Sequence, residues 1–308
     1  MAADPLSDVL RLTKARGVNS AGLRVRGKFS VRVEAHEGMK FNAITEGSGF
    51  LRVDGGEVYQ LDPGDCFLLT KGLPFTIGND LSSSALPAEE VFANATDGFA
   101  VLETGSSPEV SFLGGKMTSD QSMSLLTAAL PAVLLVRRTN PSAVKIRWLL
   151  DSLKDEIFGR MPGSEAMSEQ IMHMIFIEMI RIFPKEELTS GWLAALSDRK
   201  ISKAVQAIHS NPGRKWRLHE LASLSGLSRS QFAARFAHIS GEAPLEYLTR
   251  WRMTLARDAL IRRSQTIPQV AQSMGYSSEA AFGAAFKRIF GLSPRRLTDR
   301  DRALDTAL

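Results

Sequence analysis

Arginine and glutamine side chains cluster between residues 229 and 235, and their spacing suits hydrogen bonding to the edges of DNA bases. The guanidinium groups of Arg229 and Arg235 can pair with O6 and N7 of guanine, and the Gln231 amide can pair with N6 and N7 of adenine. The neighbouring alanines offer only methyl groups, which can touch a thymine methyl. The candidate base-contacting residues of this segment are Arg229, Ser230, Gln231, Ala233, Ala234 and Arg235.

A second segment, from residue 279 to 295, is also basic but offers fewer side chains that distinguish bases. Glu279 can accept a hydrogen bond from cytosine N4, although simple solvation explains this residue equally well. The lysine and the arginines suit phosphate contacts, which position a protein on DNA without reading its sequence. The candidate DNA-contacting residues here are Glu279, Ala280, Gly283, Lys287, Arg288 and Arg295.

The residues that carry most enzyme chemistry are scattered. The five histidines, at positions 36, 173, 209, 219 and 238, form no cluster with metal-ligand spacing, so we expect surface or core residues. Cys66 is the only cysteine, which excludes an internal disulfide and fits a reducing cytosol. It follows a turn and begins an apolar run, so we expect a buried, inert thiol. We therefore predict no catalytic residue, no metal and no cofactor.

The two basic segments belong to an internal repeat in the last third of the chain. In each copy a short helix, a glycine, a serine and a second helix with two phenylalanines four residues apart follow in order. This is the order of a helix-turn-helix, in which the glycine adopts a left-handed turn and the serine caps the second helix. The glycines and serines are offset by 49 residues and the phenylalanines by 50, so the second copy contains a one-residue insertion. The matched pairs are Gly226 and Gly275, Ser228 and Ser277, Phe232 and Phe282, and Phe236 and Phe286.

A long helix is predicted between the two copies, from Pro244 to Ile261. At about 1.5 Å per residue, roughly 17 residues span about 25 Å. A rod of this length can hold two reading helices near the ~34 Å spacing of successive major grooves on one side of a duplex.

Charge is unevenly divided along the chain. The whole chain carries +5, residues 1–198 carry −6 (19 Lys and Arg against 25 Asp and Glu), and residues 199–308 carry +11 (19 against 8). A basic module of this kind suits a polyanion. Its motifs include Leu221-Ala222, Gly226-Leu227-Ser228, Pro244-Leu245-Glu246-Tyr247, Val270-Ala271, Gly275-Tyr276 and Gly291-Leu292-Ser293-Pro294. With them, residues 201–297 resemble the DNA-binding domain of the AraC/XylS family of transcription regulators, which implies binding to double-stranded promoter DNA.

The first part of the chain has the pattern of short strands separated by turns. Asp54-Gly55-Gly56 is a hairpin-turn signal between two alternating runs, and Asp62-Pro63-Gly64-Asp65 marks another turn. Several short strands at this spacing predict an antiparallel sandwich or barrel. The segment resembles the small cupin barrel found ahead of AraC-type domains.

Cupin enzymes bind metal through histidines and a glutamate, and this chain departs from that pattern. Phe75 stands where the second motif has histidine, and Asn42, four residues before Glu46, stands roughly where the first has one. A lone glutamate cannot build a transition-metal site. Gly114 takes the position at which some relatives carry a cysteine, which argues against thiol sensing. The resemblance therefore implies a non-catalytic barrel that holds a small effector. The candidate pocket residues are Asn42, Glu46, Phe67 and Phe75.

After Pro141 the hydrophobic period becomes that of a helix. Val144, Trp148 and Leu149 share related faces of a first helix, and a second helix through residues 171–180 is apolar nearly all round. Such a helix is buried either by another subunit, which would make the pair a dimerisation surface, or by its own sheet. The sequence favours neither alternative.

Together these patterns predict an α+β chain of two domains. Residues 1–190 are expected to form an antiparallel cupin-like barrel with a helix pair, and residues 199–300 an all-α domain with two helix-turn-helix motifs joined by a long helix. The predicted function is sequence-specific transcription regulation, controlled by a small-molecule effector. The predicted partners are double-stranded DNA and a second copy of the chain bound through the N-terminal domain, with RNA polymerase as a further candidate.

Two alternatives stay open. Instead of an effector-binding domain, the N-terminal part would be either a cupin-derived enzyme or a ligand-free dimerisation scaffold, fused in each case to the DNA-binding domain. No stretch approaches the roughly 18 apolar residues of a membrane span, and the first residues lack the order of a secretory signal. We therefore expect a cytoplasmic protein without a membrane partner.

Overall fold

A computed structural model of the chain describes residues 4–13, 16–96, 98–106, 108–118, 130–159, 161–183 and 191–305. Residues 14–187 form one compact unit, the sheet unit, and residues 1–13 together with 188–308 form another, the helical unit. The first helix, α1 (Pro5–Thr13), therefore groups with the end of the chain, whereas the sequence placed residues 1–190 together. Among the described residues no helix is long and apolar enough to cross a membrane.

The sheet unit contains eleven described strands and three described α-helices. The strands are β1 (Arg16–Arg26), β2 (Ser30–Val33), β3 (Met39–Glu46), β4 (Gly49–Val53), β5 (Val58–Leu61), β6 (Cys66–Leu69), β7 (Phe75–Gly78), β8 (Leu86–Pro87), β9 (Phe99–Glu103), β10 (Glu109–Thr118) and β11 (Val133–Val136). The helices are α2 (Ala88–Ala93), α3 (Val144–Gly159) and α4 (Ser164–Ile182).

The strands form two sheets, in the orders β11-β6-β3-β10-β1-β9 and β5-β4-β7-β2-β8. Most neighbours are antiparallel, as predicted, and the turn at Asp54-Gly55-Gly56 joins β4 to β5. Two pairs depart from the prediction, because β9 runs parallel to β1 and β8 parallel to β2. Neither pair is joined by a tight hairpin, so the parallel direction is open to them.

One apolar core lies between the two sheets. Along β4, Gly49, Leu51 and Val53 are buried while the side chains between them are exposed, which is the alternation of a strand with one face in a core. Phe112 and Phe75, from different sheets, are both buried in the same cluster. Cys66 is also buried, as the sequence predicts, and burial raises the pKa of its thiol to about 12.

The helix pair packs on the six-stranded sheet. Helices α3 and α4 contact each other, and α4 also contacts β1 and β11. Ile175, Phe176 and Met179 of α4 are buried at these contacts. The sheet of the same chain therefore covers the apolar face of α4, while Trp148 on α3 stays 64% exposed.

The helical unit contains both copies of the repeat. Beyond α1 its helices are α5 (Trp192–Ser197), α6 (Ile201–Ser210), α7 (Leu218–Leu224), α8 (Arg229–Ser240), α9 (Pro244–Ile261), α10 (Ile267–Ser273), α11 (Glu279–Phe290) and α12 (Pro294–Asp305). Helices α7–α8 and α10–α11 are the two predicted helix-turn-helix motifs. Their turn glycines, Gly226 and Gly275, have φ values of 62° and 81°, in the left-handed region that favours glycine.

The long helix α9 contributes to two cores. Near its start Tyr247 packs edge-on against Phe236 of α8, with ring centroids 5.6 Å apart. Further along, Met253 and Leu260 join the buried cluster that contains Phe282 of α11. The same helix therefore holds both motifs, as the sequence predicts.

A buried histidine links α1, α6 and α9. The His209 Nε2 atom lies 2.6 Å from the Tyr247 hydroxyl, and its ring stacks on Trp251 with centroids 4.0 Å apart. Burial lowers the pKa of His209 to about 3, so the ring is neutral and its 3.6 Å contact with the Asp8 carboxylate is no salt bridge at neutral pH. Val9 of α1 is buried as well, so α1 contributes to the interior of the helical unit.

A backbone contact joins the two motifs in addition to α9. Gly213, in the loop after α6, lies so close to the second motif that a Cβ atom there would be 2.2 Å from the Ser273 carbonyl oxygen. A Cβ atom on Gly275 would lie 2.2 Å from the Gly213 carbonyl oxygen. We call this contact between Gly213 and the 273–275 backbone the glycine junction.

Arg252 of α9 braces the glycine junction. Its Nε donates to the Pro212 carbonyl at 2.6 Å, and its Nη2 donates to the Arg214 carbonyl at 2.8 Å. Its guanidinium carbon lies 5.8 Å from the centroid of the Tyr276 ring, within cation–π range. One side chain therefore contacts both the loop of the first half and the turn of the second.

We expect Gly275→Ala to destabilise the chain more than Gly226→Ala. Both positions have a left-handed backbone, which costs about 1–2 kcal/mol for alanine, but only Gly275 has an atom in the path of a Cβ. The added clash brings the expected loss at Gly275 to about 2–4 kcal/mol. Urea unfolding followed by tryptophan fluorescence measures the free energy of unfolding of both variants. Equal losses would show that the close contact at Gly275 adds no cost for a Cβ atom.

Candidate nucleic-acid interface and ligand cavity

Helix α8 exposes one polar face and buries an aromatic one. Phe232 and Phe236 are fully buried, as predicted. On the other side the predicted base-contacting residues Arg229, Ser230, Gln231, Ala234 and Arg235 are exposed, and Ala233 is half-buried. The structure therefore brings these six side chains to one end of a solvent-facing helix.

Gln231 takes part in the N-terminal cap of α8. Its Oε1 accepts a hydrogen bond from the Ser228 amide at 3.2 Å, while the Ser228 hydroxyl accepts from the Gln231 amide at 3.3 Å. This reciprocal arrangement is a capping box. A bidentate contact with adenine needs both the carbonyl and the amino end of the Gln231 side chain, so base reading competes with the cap.

Arg235 is held by Asp198, which lies three residues before the first residue of α6. The Arg235 Nη2 lies 2.5 Å from Asp198 Oδ2, and its Nε lies 3.3 Å from Oδ1. Asp198 Oδ1 also accepts from the backbone amides of Lys200 and Ile201, at 3.0 and 2.8 Å. Burial raises the pKa of the Asp198 carboxyl, but these hydrogen bonds outweigh it and hold the pKa below its usual range. A guanine contact by Arg235 therefore requires this ion pair to open or to tilt.

The basic side chains on the face formed by α11 and α12 differ from Arg235, which pairs with a carboxylate. Lys287, Arg288 and Arg295 are exposed, and among the described residues no salt bridge involves them. Glu279, Ala280, Gly283 and Arg295 line one open cleft of about 910 Å³ together with residues 263–269. The cations of this face are available to phosphates.

The N-terminal cap of α11 corrects one prediction. The Ser278 hydroxyl accepts a hydrogen bond from the Ala281 amide at 3.2 Å, so Ser278 is the cap and Ser277 is not. Ser278 corresponds to Ser228 with the offset of 50 that the phenylalanines show. The one-residue insertion is therefore Ser277, between the turn glycine and the cap.

The sheet unit contains a cavity of about 250 Å³. Of the four candidate pocket residues, Asn42 and Phe75 line it. Glu46 does not, because a register irregularity at the end of β3 pairs it with Ser111 and leaves it exposed. Phe67 belongs to the buried core and is also absent from the lining.

Two lysines that the sequence reading missed, Lys40 and Lys116, line the same cavity. Lys40 precedes Asn42 by two residues in β3, and residues two apart in a strand share a face. Because Asn42 was already a candidate pocket residue, the two-residue spacing in the sequence could have identified Lys40 as a second one. Among the described residues no three histidine, cysteine, aspartate or glutamate side chains converge as a metal site would require.

Comparison with known proteins agrees with this architecture. A cupin family model matches residues 4–183, and a helix-turn-helix domain model matches residues 221–300. A putative AraC-like transcription regulator from Streptomyces lividans is 37% identical over 295 residues, which cover 94% of this chain and 96% of that protein. The chain belongs to the AraC family of transcription regulators.

Other known proteins match the chain at lower identity. The HTH-type transcriptional regulator AlkR from Acinetobacter baylyi is 28% identical over 282 residues, which cover 89% of this AraC-family chain and 92% of that protein. Among solved structures, the DNA-binding domain of AdpA in complex with a target DNA is 26% identical, with a TM-score of 0.33, over 34% of this chain and 96% of that one. The two family models and the Streptomyces lividans relative show that the chain is an AraC-type DNA-binding transcription regulator with an N-terminal cupin domain, and its fold class is the predicted one.

We expect Ser278→Ala to destabilise the helical unit by about 1 kcal/mol, because the substitution removes the side-chain acceptor at the start of α11. Ser277→Ala is the matched control and should change the free energy of unfolding by less than about 0.5 kcal/mol, as is usual for exposed positions. Urea unfolding of the two variants compares the neighbouring serines directly. A larger loss for Ser277→Ala would restore the original alignment of the repeats.

Proposed function

We propose that this regulator reads its DNA site mainly through α8 and anchors itself on phosphates through α11 and α12. The observation that carries this division is the contrast between the two faces. On α8 the side chains able to distinguish bases are oriented by neighbours, Gln231 by Ser228 and Arg235 by Asp198. On α11, exposed Ala280 and half-buried Gly283 offer no side-chain hydrogen bond, whereas Lys287 and Arg288 are exposed and form no salt bridge with any described residue.

We further propose that the sheet unit binds a small-molecule effector and has no catalytic activity. A partly enclosed cavity with a mainly apolar lining and a few polar groups is the usual form of a small-molecule site. The imidazole positions of the enzyme motifs are occupied by the amide of Asn42 and the ring of Phe75, neither of which replaces histidine as a ligand. The relatives found are transcription regulators, which also favours this proposal.

Homodimerisation through the helix pair is the third part of the proposal. Val144, Trp148 and Phe158 on α3 are 57%, 64% and 55% exposed, and Met161 and Met167 beside them are similarly exposed. Large apolar side chains grouped on one face are typical of protein interfaces. Contact with RNA polymerase and a cytoplasmic location stay predictions.

The division of roles between the two faces predicts different outcomes for two substitutions. Arg235→Ala should weaken binding to the preferred site by about 1–3 kcal/mol and relax selection at one base pair, if the guanidinium contacts a guanine. Lys287→Ala should weaken binding to all sequences about equally and lower the slope of log K against log salt by roughly one. Selection from a random library, followed by salt titration of the selected site, measures both.

Asp198→Asn is the matched control for Arg235. It keeps a side-chain oxygen at the start of α6 but removes the charge that holds the guanidinium. We expect it to raise the ratio of specific to non-specific affinity, because Arg235 no longer has to leave an ion pair. An unchanged selection profile for Arg235→Ala, together with an altered one for Lys287→Ala, would reverse the assigned roles.

A dimer interface on the helix pair predicts that Trp148→Glu dissociates the chain. A charge placed in a buried apolar contact has no partner and loses its hydration, so the interface should fail. Val58→Glu is the control, because Val58 is 53% exposed on β5, away from the helix pair. Sedimentation velocity should give dimers for the wild type and Val58→Glu and monomers for Trp148→Glu. A monomeric wild type, or a dimeric Trp148→Glu, contradicts the proposal.

A further inference from the structure

Two lysines face each other at the cavity of the sheet unit. Lys40 of β3 and Lys116 of β10 are directly opposite partners in an antiparallel pair, and both line the cavity. Like charges at such positions are destabilising in a sheet. Among the residues that the structure describes, neither lysine forms a salt bridge, whereas Lys28 and Lys145 of the same unit pair with carboxylates.

The surroundings of Lys40 increase this cost. Burial lowers the pKa of its ammonium, the neighbouring Lys116 lowers it further, and Glu89 opposes both effects. The Nζ atom lies 5.7 Å from the centroid of the Phe75 ring, which lines the same cavity. His36 packs edge-on against that ring, and burial, Lys40 and Lys116 lower its pKa, so it adds no positive charge. Among the described residues, this half-buried pair of ammonium groups therefore has no carboxylate within salt-bridge distance, and Glu89 offsets only part of the charge on Lys40.

The next row of the sheet adds a hydrogen-bond donor on the same face. Asn42 is opposite Gly114, and both line the cavity. The Asn42 Nδ2 atom is buried and has no hydrogen-bond partner among the residues that the structure describes. A Cβ atom on residue 114 would lie 2.3 Å from Asn42 Oδ1, so only glycine leaves space for this amide. Buried polar groups are normally paired, and an orphan donor beside two cations indicates a missing acceptor.

The remaining lining is apolar. Ten of the fifteen lining residues are alanine, valine, leucine, isoleucine or phenylalanine, and two are glycines. The three polar residues are Lys40, Asn42 and Lys116. At about 250 Å³ the cavity suits a small molecule with one polar end.

We propose that the cavity binds a small carboxylate with an apolar body. The carboxylate lies between Lys40 and Lys116 and accepts a hydrogen bond from Asn42 Nδ2, while the body contacts the apolar lining. Charge-assisted hydrogen bonds of this kind are stronger than neutral ones. The inference rests on the proposed function in that it names the ligand class for the same cavity. Both an aliphatic and an aromatic body fit this chemistry.

Calorimetric titration of the full-length, DNA-free protein tests the inference with probes that share a body and differ at one end. Octanoate or 1-naphthoate should bind, and the two arms distinguish an aliphatic from an aromatic body. Octan-1-ol should bind at least tenfold more weakly than octanoate, and octylamine should not bind. Equal affinity for the acid and the alcohol, or equal affinity for octanoate and inorganic phosphate, would overturn the inference.

Substitutions locate the site. Lys40→Gln and Lys116→Gln should each weaken binding of the better acid at least tenfold. Lys40→Arg, which keeps the positive charge, should retain most of the wild-type affinity. Lys28→Gln is the control, since Lys28 is exposed and pairs with Asp80 in the same unit. Lys40→Met should raise the melting temperature of the ligand-free protein while abolishing binding, which separates loss of the site from loss of the fold. Unchanged binding in both glutamine variants would refute the assigned lysines.

Effector control is measured separately. If the acid binds and the affinity for the selected DNA site is unchanged by it, the ligand class stands and the proposed effector control fails. If no acid binds while the protein still selects a DNA site, the ligand class fails and the DNA-reading proposal stands.

Discussion

The close contact between Gly213 and the backbone at residues 273–275 is the constraint on which the DNA-binding geometry depends. Two short helix-turn-helix motifs reach successive grooves only if their separation and rotation are fixed. A single helix fixes the separation but leaves rotation to side-chain packing. The backbone contact, braced by the two carbonyl hydrogen bonds of Arg252, adds a second point of attachment. With two points of attachment the orientation of one motif relative to the other is fixed, whereas a single connection would allow bending.

The polar side chains of the first motif that we propose for base recognition also stabilise the fold. Gln231 closes the cap of its own helix, and Arg235 neutralises Asp198 at the start of α6. Both side chains are therefore ordered before DNA arrives, which lowers the entropy lost when they dock. A base contact by either side chain requires these contacts to be exchanged, which costs free energy in the specific complex. The same hydrogen bonds therefore orient the side chains and reduce the affinity gained from each base contact.

The sequence predicted features that depend on short-range pattern, and it missed those that depend on distant pairing. The two turn glycines, the buried phenylalanines and the long helix follow from local conformation and periodicity. Which of Ser277 and Ser278 caps α11 does not follow from the sequence, because it depends on which hydroxyl the backbone places near the Ala281 amide. The Arg235 and Asp198 pair spans 37 residues, and the exposure of Glu46 follows from a strand irregularity. Such features depend on which residues of distant strands and helices face each other. The sequence pattern alone does not determine this.

The grouping of α1 with the end of the chain makes the sheet unit an insertion within the helical unit. A unit built from both ends of a polypeptide cannot be completed on the ribosome until the last segment emerges, whereas an inserted unit can form earlier. During synthesis Val9 therefore waits for α6, which follows it by almost two hundred residues. The topology therefore constrains the order of assembly: the sheet unit can form first, and the helical unit is complete only after its last helices have emerged.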